Sequence, residues 1–342
     1  MGAYDGPWAA RFAPGTQMLF ITEKKGTMKF VDLATGRQGS VSGTPPVNAN
    51  GQGGFADVAF LPSERSASLA RRTIYLSWSE AGDGPRSGVV GRGTLACAAA
   101  GDCRIDGLQV IWRQVPPVQG PLQYALRMVF STDGKYLFVS SGDRVAIDNV
   151  QATSSNLGKI VRLTPDGRPA PGNPLAAKGH PADEIWTIGH RNPLGLQFDS
   201  TGRLWDLEHG PAGGDELNLL KPGQNYGWPL VSGGNNYDGT LIPKNPTRPD
   251  LAQPAIMWNP VIAPGDFVFY SGKLWPQWRG QALIAGLKTQ AIVRVSIAGE
   301  SAREEARYPM GHRMREIVEA PDGSLYALED GPGGRLLHLT PN

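Results

Sequence analysis

LQFDSTGRLWDLEHG, residues 196–210, reads as strand, turn and strand, and then breaks its own pattern. Phe198 on one side and Leu204 and Trp205 on the other flank the polar turn Asp199-Ser200-Thr201-Gly202, which is the alternation and turn chemistry of a β-hairpin. The second strand runs straight into Glu208-His209-Gly210-Pro211 and a glycine-rich acidic loop that ends at Asp215 and Glu216. Such a loop can hold a metal, hold a cofactor or merely turn the chain.

The same phrase recurs along the chain. It appears as ARFAPGTQMLFITE from Ala10, VAFLPSERSASLARRTIYLSWS from Val58, MVFSTDGKYLFVSSGD from Met128 and IVEAPDGSLYALED from Ile317, with a degenerate copy, FVFYSGKLWPQWRGQALIAGLK, from Phe267. That makes six copies, roughly 50 to 70 residues apart. A lone hairpin cannot bury its own apolar face, so the copies must pack against one another. A six-bladed β-propeller, one all-β domain over residues 1–342, does this and leaves only short edges. A pair of β-sandwiches is the competing arrangement, and the irregular spacing disfavours a solenoid. A propeller gathers its inserted loops around a central channel. Here the segments after the repeats carry the unusual chemistry: Ser141-Gly142-Asp143-Arg144, the run from Glu208 to Glu216, and Gly286-Leu287-Lys288.

Bulk properties narrow the function further. A chain of 342 residues that is 40% hydrophobic can build a core, and its 45 glycines and 29 prolines favour tight turns between short strands. The formal net charge is +2 with no lysine/arginine stripe, so a nucleic-acid partner has little electrostatic support. No apolar run approaches the ~18–20 residues of a membrane span. The opening MGAYDGPW lacks the character of an export signal and equally suits a trimmed mature start. Cys97 and Cys103, in CAAAGDC, can close a small loop as a disulfide or stand as two thiols; an oxidising compartment favours the bridge. They make no zinc site alone. GxGxxG before a helix, the Walker loop, HExxH and the GxSxG elbow are all missing, which sets aside nicotinamide, nucleotide, zincin and serine-hydrolase readings.

What stands out is a spread of cationic and amide groups in loops: Gln52 in NGQGGF, Arg191 and Asn192 in GHRNP, Lys288 in AGLK, and Arg313 with Arg315 in HRMRE. The last two are two apart on an expected strand, so they share a face. A polyanionic small ligand would bring them together. A solvated strand face with Glu316 and Glu319 as partners accounts for them equally.

The run GHRNPLGLQFDSTGRLWDLEHGPAGGDELNLLKPGQNYGWP, residues 189–229, strongly resembles the soluble glucose/sorbosone dehydrogenase family, whose members are aldose dehydrogenases dependent on pyrroloquinoline quinone (PQQ). The resemblance extends through GQGGFADVAFLP, DGKYLFVSSGDR, LGKIVRL, ALIAGLK and HRMREIVEAPDGSLYAL to nearly the whole chain. It implies a six-bladed propeller, in agreement with the repeat count. It also implies that the carbonyls of Gly210 and Pro211 bind the calcium that accompanies PQQ, a hard cation that takes oxygen ligands. Glu216 and Tyr226 resemble a second, structural calcium site. Lys288, Arg313 and Arg315 match positions that hold the cofactor's carboxylates and quinone oxygens. Arg191 and Asn192 match groups beside the reactive carbonyl, Gln52 a residue facing the sugar, and Trp258 a tryptophan near the site, although core packing suits any tryptophan.

The match breaks at one place. The family's general base is a histidine four residues before an arginine that opens the third repeat. Here the arginine is Arg127, in LQYALRMVF, and four residues earlier stands Gln123. Glutamine cannot act as a base near neutral pH, and the first histidine in the chain is His180, so no shift of register restores one. Asp143, His209 and His312 are the candidate replacements. His190 reads as a support for its loop, and His180 and His338 as surface or packing residues. The expected function is oxidation of a sugar or related alcohol with PQQ and calcium, electrons leaving to an external acceptor, in a periplasmic or secreted monomer or homodimer. The alternatives are a catalytically impaired relative, or a binding propeller for a carboxylated ligand or a protein partner.

Overall fold

The computed structural model describes residues 2–98 and 102–341. A first short strand, β1 (Ala3–Asp5), is followed by six groups of strands. Blade 1 holds β2 (Pro7–Phe12), β3 (Met18–Glu23), β4 (Met28–Asp32) and β5 (Gln38–Ser42). Blade 2 holds β6 (Phe55–Phe60), β7 (Arg72–Ser79), β8 (Gly88–Cys97) and β9 (Cys103–Arg113). Blade 3 holds β10 (Ala125–Phe130), β11 (Leu137–Ser141), β12 (Lys159–Leu163) and β13 (Ile185–Ile188). Blade 4 holds β14 (Pro193–Phe198), β15 (Leu204–Glu208), β16 (Asp215–Leu219) and β17 (Ile256–Trp258). Blade 5 holds β18 (Pro264–Phe269), β19 (Ala282–Gly286), β20 (Ala291–Ala298) and β21 (Ser301–Pro309). Blade 6 holds β22 (Met314–Glu319), β23 (Leu325–Glu329) and β24 (Pro332–Leu339).

Within each blade the strands pair antiparallel in chain order. Blade 6 takes β1 as its fourth strand, so the N-terminal segment closes the ring. β5 and β9 also pair in parallel and join blades 1 and 2 at their outer edges. The first strands β2, β6, β10, β14, β18 and β22 neighbour one another in a closed circuit around the axis. Each repeat of the sequence is the first hairpin of one blade. A disulfide joins Cys97 to Cys103 at the end of the β8–β9 pair; residues 99–101 of that loop lie outside the described residues.

The repeated phenylalanine explains why the blades need one another. Phe12, Phe60, Phe130, Phe198 and Phe269 each end a first strand, and each ring meets an aromatic on the second strand of the preceding blade. The pairs are Phe12–Tyr326, Phe60–Phe20, Phe130–Tyr75, Phe198–Phe138 and Phe269–Trp205, with centroids 4.9–6.2 Å apart. Such pairs add to the area they bury. At the remaining seam Glu319 takes the position and accepts the backbone N–H of Ser271 at 2.8 Å. Apolar clusters fill all six seams in turn, for example Phe20, Val58 and Leu76 between blades 1 and 2, and Trp205, Phe267 and Ile284 between blades 4 and 5.

The axis itself is polar. Arg127 of β10 is fully buried, with Nη1 3.0 Å from Glu316, 3.5 Å from Asp266 and 3.7 Å from Asp57; Arg11 reaches Asp266 at 2.9 Å. Two guanidiniums thus face three carboxylates. Burial, with Asp266 beside it, pushes Glu316 up to about 8, so this carboxyl carries the proton that balances the cluster. Arg127 also donates to the carbonyls of Leu194, Gly265 and Trp8, tying four blades together beneath one end of the channel.

Candidate functional site

Hairpin turns lie at one end of the channel, so the open ends of all the hairpins lie at the other. A cavity of about 430 Å³ occupies that open end. Its walls come from the residues just before each first strand and just after each second strand. Among them are Trp8 and Lys24 from blade 1, Gln52 and Ser79 from blade 2, Tyr124 and Leu126 from blade 3, Asn192 and His209 from blade 4, Leu287 from blade 5, and Arg313, Arg315 and Asp330 from blade 6.

The residues singled out in the sequence arrive here unequally. Gln52, Asn192, Arg313 and Arg315 line the cavity. Both arginines pair at 2.8 Å with Asp330 rather than with Glu316 or Glu319, and Arg315 lies 4.1 Å over the Trp8 ring. The alternative of a solvated strand face is corrected in its partners and for Arg315, which is buried; Arg313, just before β22, is exposed, and both bond Asp330 from the next strand end. Lys288 follows Leu287 on the rim and is exposed. Trp258 does not reach the cavity wall; its indole sits in the core between blades 4 and 5 and donates to Glu304 at 2.8 Å. His312 is exposed, 4.0 Å from Glu329, and His180 is exposed too. His338 stacks on Tyr326. Trp8, Lys24 and Asp330 were not legible as site residues, because only their place at strand ends brings them to the mouth.

Gln123, expected from the sequence at the position of the family's base, lies beside Asp143 and Arg191 and not on the wall of the larger cavity. The amide orientation that satisfies both neighbours turns Nε2 onto the Asp143 carboxylate and Oε1 toward Arg191 Nη2 at 2.8 Å. Its backbone N–H donates to Gln52 Oε1 at 2.8 Å. Asp143 is buried, accepts from Trp228 Nε1 at 2.7 Å and from the Val145 N–H at 2.8 Å, and is pushed up to about 6 by burial. Gln123, Ala125 and Leu126 all hold positive φ, 53°, 59° and 71°, a left-handed conformation in which non-glycine residues are strained. Gly142 allows this close approach: a Cβ there would fall 2.0 Å from the Gln123 carbonyl.

Behind Arg191 stands a charged support. His190 is fully buried, with Nδ1 3.0 Å from Glu208 and 3.4 Å from Asp206 and Nε2 2.9 Å from Thr187. Burial opposes its charge, but the two carboxylates outweigh it and push it up to about 9, which favours an imidazolium held between two acids. Glu208 in turn accepts the Arg191 backbone N–H at 2.7 Å. His209 differs: burial and nearby arginines hold it down to about 4, and Nε2 meets the Pro264 carbonyl at 2.6 Å.

The loop that opened the sequence reading turns tightly because Gly210 has no side chain; a Cβ would lie 2.2 Å from the Gly213 carbonyl. The Gly210 carbonyl accepts from Arg191 Nη1 at 2.8 Å. An ion-sized void of about 20 Å³ lies between Glu208, Gly210, Pro211, Glu216 and Tyr226. Arg191 lines the void as well, and Glu216 is pushed up to about 8 by burial and by Glu208; behind that wall, among the described residues, both oxygens of Asp206 and Oδ1 of Asn245 lack hydrogen-bond partners. Oxygen donors, excess negative charge and unpartnered buried oxygens fit a hard divalent cation. The larger cavity fits an acidic ligand: its lining lysines and arginines number four against two aspartates, and among the described residues the buried Asn192 Oδ1 has no partner.

These features define a six-bladed propeller with a cationic ligand cavity at the open ends of its hairpins. Within that class, the chain belongs to the Glucose / Sorbosone dehydrogenase family, which it matches over residues 4–338. It is 35% identical to the aldose sugar dehydrogenase YliI of Escherichia coli, covering 98% of this chain and 90% of that protein. The apo structure of the soluble aldose sugar dehydrogenase of Escherichia coli superposes with a TM-score of 0.91 at 33% identity, covering 100% of this chain and 99% of the other. The PQQ-bound aldose sugar dehydrogenase of Streptomyces coelicolor superposes with a TM-score of 0.77 at 25% identity, covering 99% and 96%. The chain is accordingly a sugar dehydrogenase-like oxidoreductase.

Proposed function

We propose that this protein oxidises an aldose or a related alcohol with PQQ and calcium, and that Gln123 makes its proton transfer slower than a histidine would. The observation that carries the reading is the cationic cavity at the channel mouth, walled by Arg313, Arg315 and Lys24 with Asn192 opposite. Arg313, Arg315 and, from the rim, Lys288 would hold the cofactor's carboxylates. The carbonyls of Gly210 and Pro211 would hold the calcium beside it, and Glu216 and Tyr226 a structural calcium. The chemistry such a group supplies when bound is acceptance of a hydride at its quinone, with calcium as Lewis acid.

The chain's own residues must do the rest. Arg191, its backbone N–H held by Glu208 and that acid by His190, turns its guanidinium to the Gly210 carbonyl and the Gln123 amide, behind Asn192 on the cavity wall. Gln52, whose Oε1 accepts from the Gln123 backbone N–H, lines the cavity and offers its amide N–H to substrate hydroxyls. The substrate proton needs an acceptor, and Gln123 has none to give. Asp143, directly behind the amide, is pushed up to about 6 by burial and is the carboxylate in contact with Gln123. Loss of a positioned base costs about 10²–10⁴-fold in rate. Electrons leave to an external acceptor. The Cys97–Cys103 bridge supports a periplasmic or secreted location.

The test is titration of the purified, calcium-loaded apoprotein with PQQ, followed by an aldose panel with a redox dye. Binding and slow dye reduction support the reading. Binding without reduction by any sugar moves it to a silenced relative, which the engaged amide of Gln123 favours as second choice. Arg315→Ala or Lys288→Ala should weaken PQQ binding several-fold; unchanged affinity in both removes the cofactor.

A further inference from the structure

Four lysines and arginines line the cavity, and three of them already have carboxylate partners. Arg313 and Arg315 share Asp330 at 2.8 Å each, and Lys25 meets Asp5 at 2.9 Å. Lys24 is the exception. Its Nζ donates at 2.6 Å to the Gly51 carbonyl, and among the described residues no acid pairs with it. Its position is imposed from both sides. The Lys24 N–H donates to Gly6 and its carbonyl accepts from Phe55. The side-chain stem crosses Gly54, where a Cβ would lie 2.8 Å from Lys24 Cγ. Burial, and then Arg315, hold the Lys24 ammonium below its usual range, and Asp330, already shared by two arginines, offsets this only in part. A half-buried cation whose carboxylate neighbour is already shared by two guanidiniums is under-compensated, and an anionic occupant of the cavity would balance it.

We infer that Lys24 is a ligand-binding residue that takes a carboxylate of the bound cofactor, opposite the Arg313–Arg315 pair. The inference rests on the cofactor reading above. Nζ leaves the Gly51 carbonyl, or shares it, when the anion enters, as an ammonium with three donors can. Gly51 precedes Gln52, which bonds Gln123, so occupation of Lys24 is also felt at the substrate side of the mouth.

The experiment compares PQQ affinity of the calcium-loaded wild type with Lys24→Gln, Lys24→Arg and Lys29→Gln, following quenching of tryptophan fluorescence at low and high salt. Gln keeps a donor for Gly51 without the charge, and Lys29, bonded to Ser40 on the outer face of the same blade, controls for loss of any lysine. Lys24→Gln should raise the Kd about tenfold or more, the scale of one charge-assisted hydrogen bond, with the gap narrowing as salt rises. Lys24→Arg and Lys29→Gln should stay near wild type. Wild-type affinity in Lys24→Gln overturns the inference while leaving the cofactor in place. Equal loss in Lys24→Arg overturns it in favour of a loop-positioning role. Unchanged PQQ affinity with a raised KM for glucuronate, but not glucose, assigns the charge to an acidic substrate and overturns it too. A wild type that binds no PQQ removes the cofactor reading and this inference with it.

Discussion

Gln123 and Arg191 meet at 2.8 Å, amide oxygen to guanidinium, while the same amide's nitrogen donates to Asp143. Both polar ends of the side chain are engaged, and neither can take a proton. A histidine at this position would find the Asp143 carboxylate placed to fix its tautomer and a backbone φ of 53°, which histidine tolerates better than most residues. Gln123→His should therefore raise dye-coupled aldose turnover in the PQQ-loaded protein by about 10²-fold, with PQQ affinity unchanged. Turnover that does not rise would place the base elsewhere.

The hairpins were legible throughout and the mouth only in part, for different physical reasons. All six first hairpins follow from local alternation and turn residues, and the count of six follows from them. The closure by Ala3–Asp5, and the parallel pairing of β5 with β9, depend on partners far along the chain and leave no local pattern. Arg313 and Arg315 were found because they sit close in sequence. Lys24 and Asp330 come from strand ends on different hairpins and meet only once the ring closes. Trp258 shows the converse: a motif-bearing tryptophan whose ring is drawn into the core between two blades.

Asp143 sets a pH dependence of stability. Its folded value, about 6, lies above the usual 3.8, so between these values the folded chain binds more protons than the unfolded one. Stability from this group is present at low pH and is lost as pH rises through about 6, by about 3 kcal/mol in all. Denaturation midpoints of wild type and Asp143→Asn, compared from pH 4 to 8, should shift in favour of the variant up to about pH 6 and then run parallel. Parallel curves throughout would show an ordinary carboxylate.

Ala125 and Leu126 share a left-handed backbone but differ in what their side chains do. Each pays for positive φ by about 1 kcal/mol, yet Leu126 is fully buried and packs between blades 2 and 3. Ala125→Gly should stabilise the fold slightly, by up to about 0.5 kcal/mol, after the extra freedom of the unfolded chain is counted. Leu126→Gly should destabilise it by about 2 kcal/mol or more, because the lost apolar burial exceeds the relieved strain. Urea midpoints that move in the same direction for both would refute strain at Ala125.

The axial cluster offers a test of its shared proton. Removing Arg127 leaves Asp57, Asp266 and Glu316 with Arg11 alone in a buried site. Arg127→Met should cost about 3–5 kcal/mol, the scale for stranding buried charge. Glu316 already carries a proton near neutral pH, so Glu316→Gln alone should cost little at pH 7. In the double variant Asp57 and Asp266 remain against Arg11, so the loss should stay close to that of Arg127→Met. A double-mutant cycle on urea midpoints at pH 7 and at pH 9 separates the cases. Coupling between the two positions should be small at pH 7 and grow at pH 9, where Glu316 ionises and bonds Arg127 as an anion. Coupling that is large and equal at both pH values would mean that Glu316 is ionised throughout and that the cluster holds no proton.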